Sequence, residues 1–104
     1  MTERYVIICR GFADDRPCIA EGLFLHGFDA DAENGRGMVS WTKNLDEART
    51  MGRIDAMKLF MRQSTVRPFR DDGEPNRPLT AFNIEIVTKQ IAQKEMEDES
   101  RQGQ

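Results

Sequence analysis

Few residues in this chain are of the types that do chemistry, and their spacing does not form a catalytic or metal-binding motif. The chain has one histidine, His26, and two cysteines, Cys9 and Cys18. On an extended strand Cys18 and His26 would lie about 26 Å apart, which is too far for a nucleophile–base pair. With no C-x-x-C spacing, a zinc ion would also have too few ligands. We therefore expect no catalytic residue, no metal and no cofactor.

Two interpretations of the cysteines stay open on sequence grounds. Cys9 belongs to the first predicted strand and Cys18 begins the second, so the two residues could lie across a hairpin from each other. In that arrangement they could form a redox-switchable pair. The alternative is that both are small apolar side chains, buried or half-buried, as free cysteines usually are.

Three acidic side chains alternate in the glycine-rich loop over residues 26–37, at Asp29, Asp31 and Glu33. This alternation is similar to the start of a calcium-binding loop. Such a loop needs a glutamate at its twelfth position, and counting from Asp29 that position is Ser40. We interpret the segment as a solvated loop.

A group of arginines is the most suggestive candidate for a binding surface. It follows the predicted main helix and encloses one aromatic residue: Arg62, Arg67, Arg70, Arg77 and Phe69. Guanidinium groups and an aromatic ring are the side chains that contact phosphates and bases, so the group could bind an anion or a nucleic acid. Nearby acidic residues, Asp71, Asp72 and Glu74, would reduce the positive field. The alternative is a solvated surface with weak ion pairs.

Apolar runs and turn residues predict the strands that must position these groups. β-Branched and apolar runs predict strands over residues 5–10, 18–25 and 38–41. A strand over residues 65–70 would be irregular or at an edge, because Pro68 cannot donate to a ladder. Clean alternation over residues 81–87 places Phe82, Ile84 and Ile86 on one face, with Asn83 and Glu85 on the other. This is the clearest half-buried strand.

The sequence predicts a capped helix after the third strand. Asn44 is a preferred N-cap, and Glu47 stands at the position of a capping box, so a helix should start near Leu45. Gly52 interrupts it, and the main helix runs from about Arg53 to Gln63. An apolar stripe should face the core; its members are Ile54, Met57, Met61, Ala56 and Phe60.

These elements indicate one small α+β domain over residues 1–87. Its antiparallel sheet of four or five strands packs on one main helix in the order β-β-β-α-β-β. Residues 88–104 are polar and are expected to form a frayed helix or a disordered tail. Trp41 should bury a large area where the third strand meets the helix. The residues with predicted structural roles are Trp41, Asn44, Glu47, Phe60, Phe82, Ile84 and Ile86.

Composition and charge narrow the function classes. The net charge of −3 lacks the positive field of a dedicated DNA or RNA binder. The apolar run near the N-terminus is too short for a signal peptide or a membrane span, so we expect a cytoplasmic protein without a membrane partner.

The spacing of several residues also resembles a layout common among small bacterial and phage proteins. The resemblance covers residues 4–63 and comprises Y-V-I near the N-terminus followed by W-T-x-x-x-x-E-A and a helix with an internal alanine. The matching residues are Tyr5, Val6, Ile7, Trp41, Thr42, Glu47, Ala48 and Ala56. The layout implies no activity, and no functional residue follows from it.

The sequence therefore predicts a non-enzymatic accessory or protein-interaction domain that contacts another protein or forms a homodimer. An exposed strand edge or an apolar face would make the contact, with Met51, Met57 and Met61 as adaptable apolar surface if any lie outside the core. The alternative is a weak nucleic-acid or anion binder that uses the arginine group. A small enzyme is the third alternative.

Overall fold

The computed structural model describes residues 4–102, with side chains described for residues 4–97. Four strands form one sheet: β1 (Tyr5–Phe12), β2 (Phe24–Asp29), β3 (Met38–Thr42) and β4 (Phe82–Thr88). A short turn α1 (Ala32–Gly35) and two longer helices, α2 (Arg53–Phe60) and α3 (Lys89–Gln102), complete the fold with 3₁₀ turns at Leu45–Glu47 and Pro78–Ala81. The sheet order is β3-β2-β1-β4, and all neighbours are antiparallel. The predicted α+β class with a four-strand antiparallel sheet is confirmed.

The central strand β1 is apolar on both faces because both faces of the sheet are covered. Val6 and Ile8 pack in one core cluster, and Ile7 between them packs in the other, as the two-residue period of a strand requires. The first cluster also contains Phe24, Leu45, Ala48 and Ala92. The second contains Leu25, Met51, Ala56, Leu59 and Leu79. Helices therefore lie on both sides of the sheet rather than as a single main helix on one side.

Helix α3 follows β4 directly and packs on the first face. Ala92 is 1% exposed and lies in the cluster with Val6 and Ile8, and Met96 packs against the same cluster. The Thr88 hydroxyl accepts a hydrogen bond from the Ile91 backbone N–H at 3.1 Å and caps the first turn. Residues 89–102 of the predicted polar tail thus form a helix, and residues 103–104 lie outside the described residues.

The second strand begins six residues later than predicted. Residues 18–23 form tight turns, in which the Leu23 N–H donates to the Ala20 carbonyl and Gly22 has a φ of +87°. Glycine adopts this left-handed conformation without a Cβ penalty, so it ends the turn and the strand starts at Phe24. His26, predicted in a loop, lies in β2.

Helix α2 buries only part of the apolar stripe that was predicted to face the core. Ala56 and Leu59 are buried, whereas Ile54, Met57 and Met61 are 68%, 54% and 47% exposed. Ala56, Leu59 and the half-buried Phe60 form the side of this eight-residue helix that packs in the core. The predicted orientation is therefore correct for Ala56 and Phe60 and wrong for Ile54, Met57 and Met61.

The cap at Asn44 forms on a shorter element than predicted. The Asn44 side chain accepts from the Asp46 N–H at 3.0 Å, but the helix that it caps is the 3₁₀ turn Leu45–Glu47. The Glu47 carboxylate accepts from the Thr42 hydroxyl at 3.1 Å, and that hydroxyl accepts from the Asn44 N–H. The Thr42 hydroxyl thus bridges the Glu47 carboxylate and the Asn44 N–H, which a capping box would join by a direct hydrogen bond.

The segment over residues 65–70 does not form a strand of the sheet. Its contact with another extended segment is an isolated bridge between Phe69 and Pro75. The Thr65 and Val66 N–H groups donate to the carboxylate of Asp31 at 2.7 and 3.3 Å. Because these donors are already used by a side chain, they cannot enter a ladder, and the strand prediction is wrong here.

Candidate functional site: an apolar groove beside an open strand edge

An apolar groove of about 460 Å³ lies between α2 and β4, and we call it the α2–β4 groove. Its lining carries no charged side chain and consists of Met57, Phe60, Met61, Phe82, Asn83, Ile84 and Ile86. The methionines come from the exposed side of α2, and the isoleucines come from β4. Methionine adapts its shape to different partners because its chain is unbranched and polarizable. The groove is thus suited to an apolar contact.

Strand β4 is at one edge of the sheet, and within residues 4–102 its only ladder partner is β1. The Lys89 N–H donates to the Arg4 carbonyl at 2.8 Å, and the register places Ile86 opposite Ile7 and Ile84 opposite Cys9. Hydrogen-bonded and non-hydrogen-bonded pairs alternate in an antiparallel ladder. The backbone groups of Ile84 and Ile86 therefore point to the open edge, directly beside the groove.

The two faces of β4 differ as the alternation in the sequence predicts. Phe82, Ile84 and Ile86 are half-buried and pack on the cluster that contains Leu25, whereas Asn83 and Glu85 are exposed. Glu85 pairs with Arg10 of β1, whose guanidinium lies 2.7 Å from the Glu85 carboxylate and 3.8 Å from the Glu95 carboxylate. The charged side chain of β4 is thus partly compensated within its own chain.

An aromatic cluster closes one end of this apolar surface. The rings of Trp41 and Phe82 meet edge to face with centroids 5.2 Å apart, and Phe12 stacks on Phe82 at the same separation. Such ring pairs add about 0.5–1.5 kcal/mol to the burial of their area. Trp41 lies in β3 and its ring packs on the N-terminal residue of β4, so the indole supports the edge strand from across the sheet.

The structure brings together only part of the arginine group. Arg67 and Arg70 line a polar cavity of about 460 Å³, which we call the arginine cavity; its lining is Gly35, Arg36, Arg67, Arg70, Asp71, Asp72 and Asn76. Arg62 lines a separate cleft with Arg49 and Lys58. Phe69 is 59% exposed. Arg77 does not line the cavity, and its buried Nε makes no hydrogen bond within the described residues.

Arg36 is the arginine of the cavity that was absent from the predicted group. It is distant along the chain from Arg67 and Arg70, and a fold is needed to bring it beside them. The dipeptide Asn34-Gly35 is typical of a turn, but it does not indicate which residues lie beside Arg36.

Asp31 joins the loop before β3 to the loop after α2. Its carboxylate accepts from the Ser64 hydroxyl, from both the N–H and the hydroxyl of Thr65, and from the Val66 N–H, at 2.7–3.3 Å. The hydrogen bond from the Thr65 N–H is the largest of the causes that hold the pKa of Asp31 below its usual value. The carboxylate that was predicted to be solvated thus organises one wall of the arginine cavity.

Asn76 and Ser64 complete this wall as a buried polar network. The Asn76 amide donates to the carbonyls of Gly35 and Arg67, and the Asn76 carbonyl accepts from the Ser64 N–H at 2.9 Å. Ser64 is 1% exposed, and its hydroxyl accepts from the Arg67 N–H at 3.1 Å. Because these buried groups satisfy one another, the three loops are held at fixed positions.

The two cysteines lie side by side. Cys9 is buried, Cys18 is partly exposed, and the two thiols are close enough for the Cys18 thiol to raise the pKa of the Cys9 thiol. Burial is the main cause that raises the pKa of the Cys9 thiol, and the neighbouring Cys18 thiol adds to it. The proximity expected for a redox-switchable pair is present, with both residues as free thiols.

We expect the two thiols to be alkylated at different rates. At about pH 8, iodoacetamide should modify Cys9 at least ~10-fold more slowly than Cys18, because a raised pKa reduces the fraction of Cys9 thiolate and burial blocks access. Mass spectrometry of tryptic peptides separates the two sites, since Arg10 lies between them. In denaturant both sites should react at similar rates. Equal rates in the native protein would show that Cys9 is not protected.

His26 is exposed on β2, and its Nδ1 lies 3.3 Å from the Ser40 hydroxyl. Among the described residues, no group of three or more His, Cys, Asp or Glu side chains could hold a metal ion. The described part of the chain also contains no helix that is long and apolar enough to cross a membrane. Comparison with protein-family models, with curated proteins and with solved structures gave no match.

Proposed function

We propose that this chain is a cytoplasmic, non-enzymatic protein-interaction domain that forms a homodimer through the α2–β4 groove and the open edge of β4. The observation that supports it is the combination of an unpaired strand edge and an apolar groove on the same side of the molecule. An edge strand offers backbone hydrogen bonds to another chain, and an adjoining apolar surface adds the area that makes such a contact stable.

A second copy of this chain fits the surface because the contact needs no opposite charge. The groove lining is uncharged, and Glu85 is paired within its own chain. Two molecules of net charge −3 repel only weakly at physiological ionic strength, where the Debye length is about 8 Å. Antiparallel pairing of β4 with itself also gives the closed two-fold symmetry that most homodimers have.

The chemistry of the strand selects one register for this pairing. Ile84 and Ile86 must be the hydrogen-bonded positions, since their backbone groups face outward. Centring the axis on Glu85 would place two carboxylates opposite each other, which is destabilising. Centring it on Ile84 instead places Glu85 opposite Asn83 of the partner subunit and Ile86 opposite Phe82 of the partner subunit. An axis at Ile86 would leave Phe82 without a partner in β4, because the residue opposite it would lie in α3. We therefore expect the axis at Ile84.

Replacing the groove methionines by glutamate should weaken self-association. We expect Met57→Glu and Met61→Glu each to raise the dimer dissociation constant about tenfold or more, because a charge would enter an apolar interface. Sedimentation velocity over a series of concentrations measures this constant. Both residues are about half exposed in the single chain, so the substitutions should leave it folded.

Ile19→Glu is the matched control for these variants. Ile19 is a fully exposed apolar residue that does not line the groove, so its replacement adds the same charge elsewhere. Association should be unchanged in this variant. A wild-type protein that stays monomeric at millimolar concentration would contradict the proposal. A dimer that Ile19→Glu disrupts and Met57→Glu does not would place the interface elsewhere.

A further inference from the structure

We propose that the arginine cavity is a binding site for the carboxylate group of a small molecule, held by Arg36 and Arg70. No residue lines both this cavity and the α2–β4 groove, so the site is independent of the proposed dimer contact. At about 460 Å³ the cavity lies within the range of small-molecule sites. Its lining is polar, and three of its seven residues are arginines.

Two of the three guanidinium groups are available to a ligand. Arg67 donates to the Asp71 carboxylate at 2.6 Å and is already paired. Among the described side chains, the Arg70 guanidinium makes one hydrogen bond, to the Thr80 hydroxyl at 3.3 Å, which leaves most of the guanidinium donors unused. Within the residues whose side chains are described, the Arg36 guanidinium makes no hydrogen bond or ion pair. A planar guanidinium binds a carboxylate through two parallel N–H···O bonds.

The charge of the lining favours a group with a single negative charge. Three arginines face two aspartates, which leaves one positive charge. The aspartates leave the guanidinium groups of Arg36 and Arg70 unpaired, because Asp71 pairs with Arg67 and Asp72 accepts from the Glu74 N–H at 2.9 Å. One carboxylate would neutralise the site. A phosphate monoester carries close to two charges at neutral pH and would leave an excess of negative charge beside Asp71 and Asp72.

Hydrogen bonds within the protein fix the walls of the cavity in the absence of a ligand. The Asn76 amide bonds the carbonyls of both Gly35 and Arg67, which fixes the backbone next to Arg36 relative to the opposite wall. A Cβ on Gly35 would lie 2.5 Å from the Cβ of Arg67, which shows how closely the two loops approach. Binding groups on a fixed scaffold lose less conformational entropy when the ligand binds.

Titration of the full chain with acetate, followed by NMR at constant ionic strength, tests the site. We expect saturable shifts of the Gly35, Arg36 and Arg70 amide signals with a dissociation constant of about 1–10 mM. Arg36→Gln should weaken binding about tenfold, because one charge-assisted contact is lost. Arg36 is exposed and its guanidinium makes no hydrogen bond or ion pair within the described residues, so this variant should stay folded.

Arg62→Gln is the control, because Arg62 is an arginine of a different cleft and acetate affinity should not change. An equal loss in both variants would show general attraction to positive charge and would overturn the proposal. The absence of saturation by about 50 mM acetate would also overturn it. Inorganic phosphate is the comparison ligand: binding at least tenfold tighter than acetate would overturn the assignment to a carboxylate. None of these outcomes depends on self-association.

Discussion

Gly35→Ala is expected to destabilise the domain by about 2–4 kcal/mol, a large share of the ~5–15 kcal/mol that stabilises a domain of this kind. Gly35 has a φ of +91°, which an alanine adopts only at a cost of about 1 kcal/mol. The added methyl group would also lie 2.5 Å from the Arg67 Cβ and 3.0 Å from the Ser64 hydroxyl. Overpacking of this kind costs about 1–3 kcal/mol. Guanidinium denaturation measures the free energy of unfolding.

Gly73→Ala separates the steric clash from the backbone cost. Gly73 has a φ of +86°, but a Cβ there would meet no atom within 4 Å. The free energy of unfolding of this variant should therefore decrease by only about 1 kcal/mol. An equal decrease in the free energy of unfolding of the two variants would contradict the close approach of the Gly35 and Arg67 loops. It would also contradict the fixed wall of the arginine cavity.

Ala92→Glu is expected to destabilise the domain by about 3 kcal/mol or more. Ala92 is 1% exposed and lies against Val6, Ile8 and Phe24. A glutamate there would either bury an unpaired charge or lift α3 from the sheet and expose this cluster. The measurement is again the free energy of unfolding, with circular dichroism to follow the helix.

Gln93→Glu adds the same charge on the next residue of α3. Gln93 is exposed, so the effect should stay within about 0.5 kcal/mol. A similar small effect of Ala92→Glu would contradict the packing of α3 on the sheet. In that case residues 89–102 would behave as a solvated segment that adds little to the core.

The sequence was most informative where a short pattern determines the structure by itself. The alternation over residues 81–87 predicted the orientation of Phe82, Ile84 and Ile86, because successive side chains of a strand point to opposite faces of the sheet. The cap at Asn44 was also found, since its hydrogen bond to Asp46 is local. Both features need no knowledge of the rest of the chain.

The stripe on α2 was misinterpreted because its pattern is ambiguous. Apolar residues stand on most sides of this helix, so their spacing cannot decide which side packs. Contacts with the rest of the core select the side that carries Ala56 and Leu59, and these contacts are not local. The same ambiguity concealed the groove, whose methionines were assigned to the core.

Long-range contacts account for the rest of what the sequence did not reveal. The partners of Asp31 follow it by more than thirty residues, and Arg36 is equally distant from Arg67. No local spacing encodes such pairs. Likewise the packing of α3 on the sheet could not be expected from a polar segment, because only two of the apolar residues described in that segment, Ala92 and Met96, make the contact with the core cluster on that face.

Amide hydrogen exchange of β4 tests the central claim, self-association through its open edge, most directly. NMR should be recorded at one concentration where the protein is monomeric and at one where it is dimeric. We predict that exchange of the Ile84 and Ile86 amides slows about tenfold or more in the dimer, because these N–H groups face the open edge. The Glu85 amide, which faces β1, is the internal control and should change little. Unchanged exchange of Ile84 and Ile86 in a dimeric sample would contradict edge pairing.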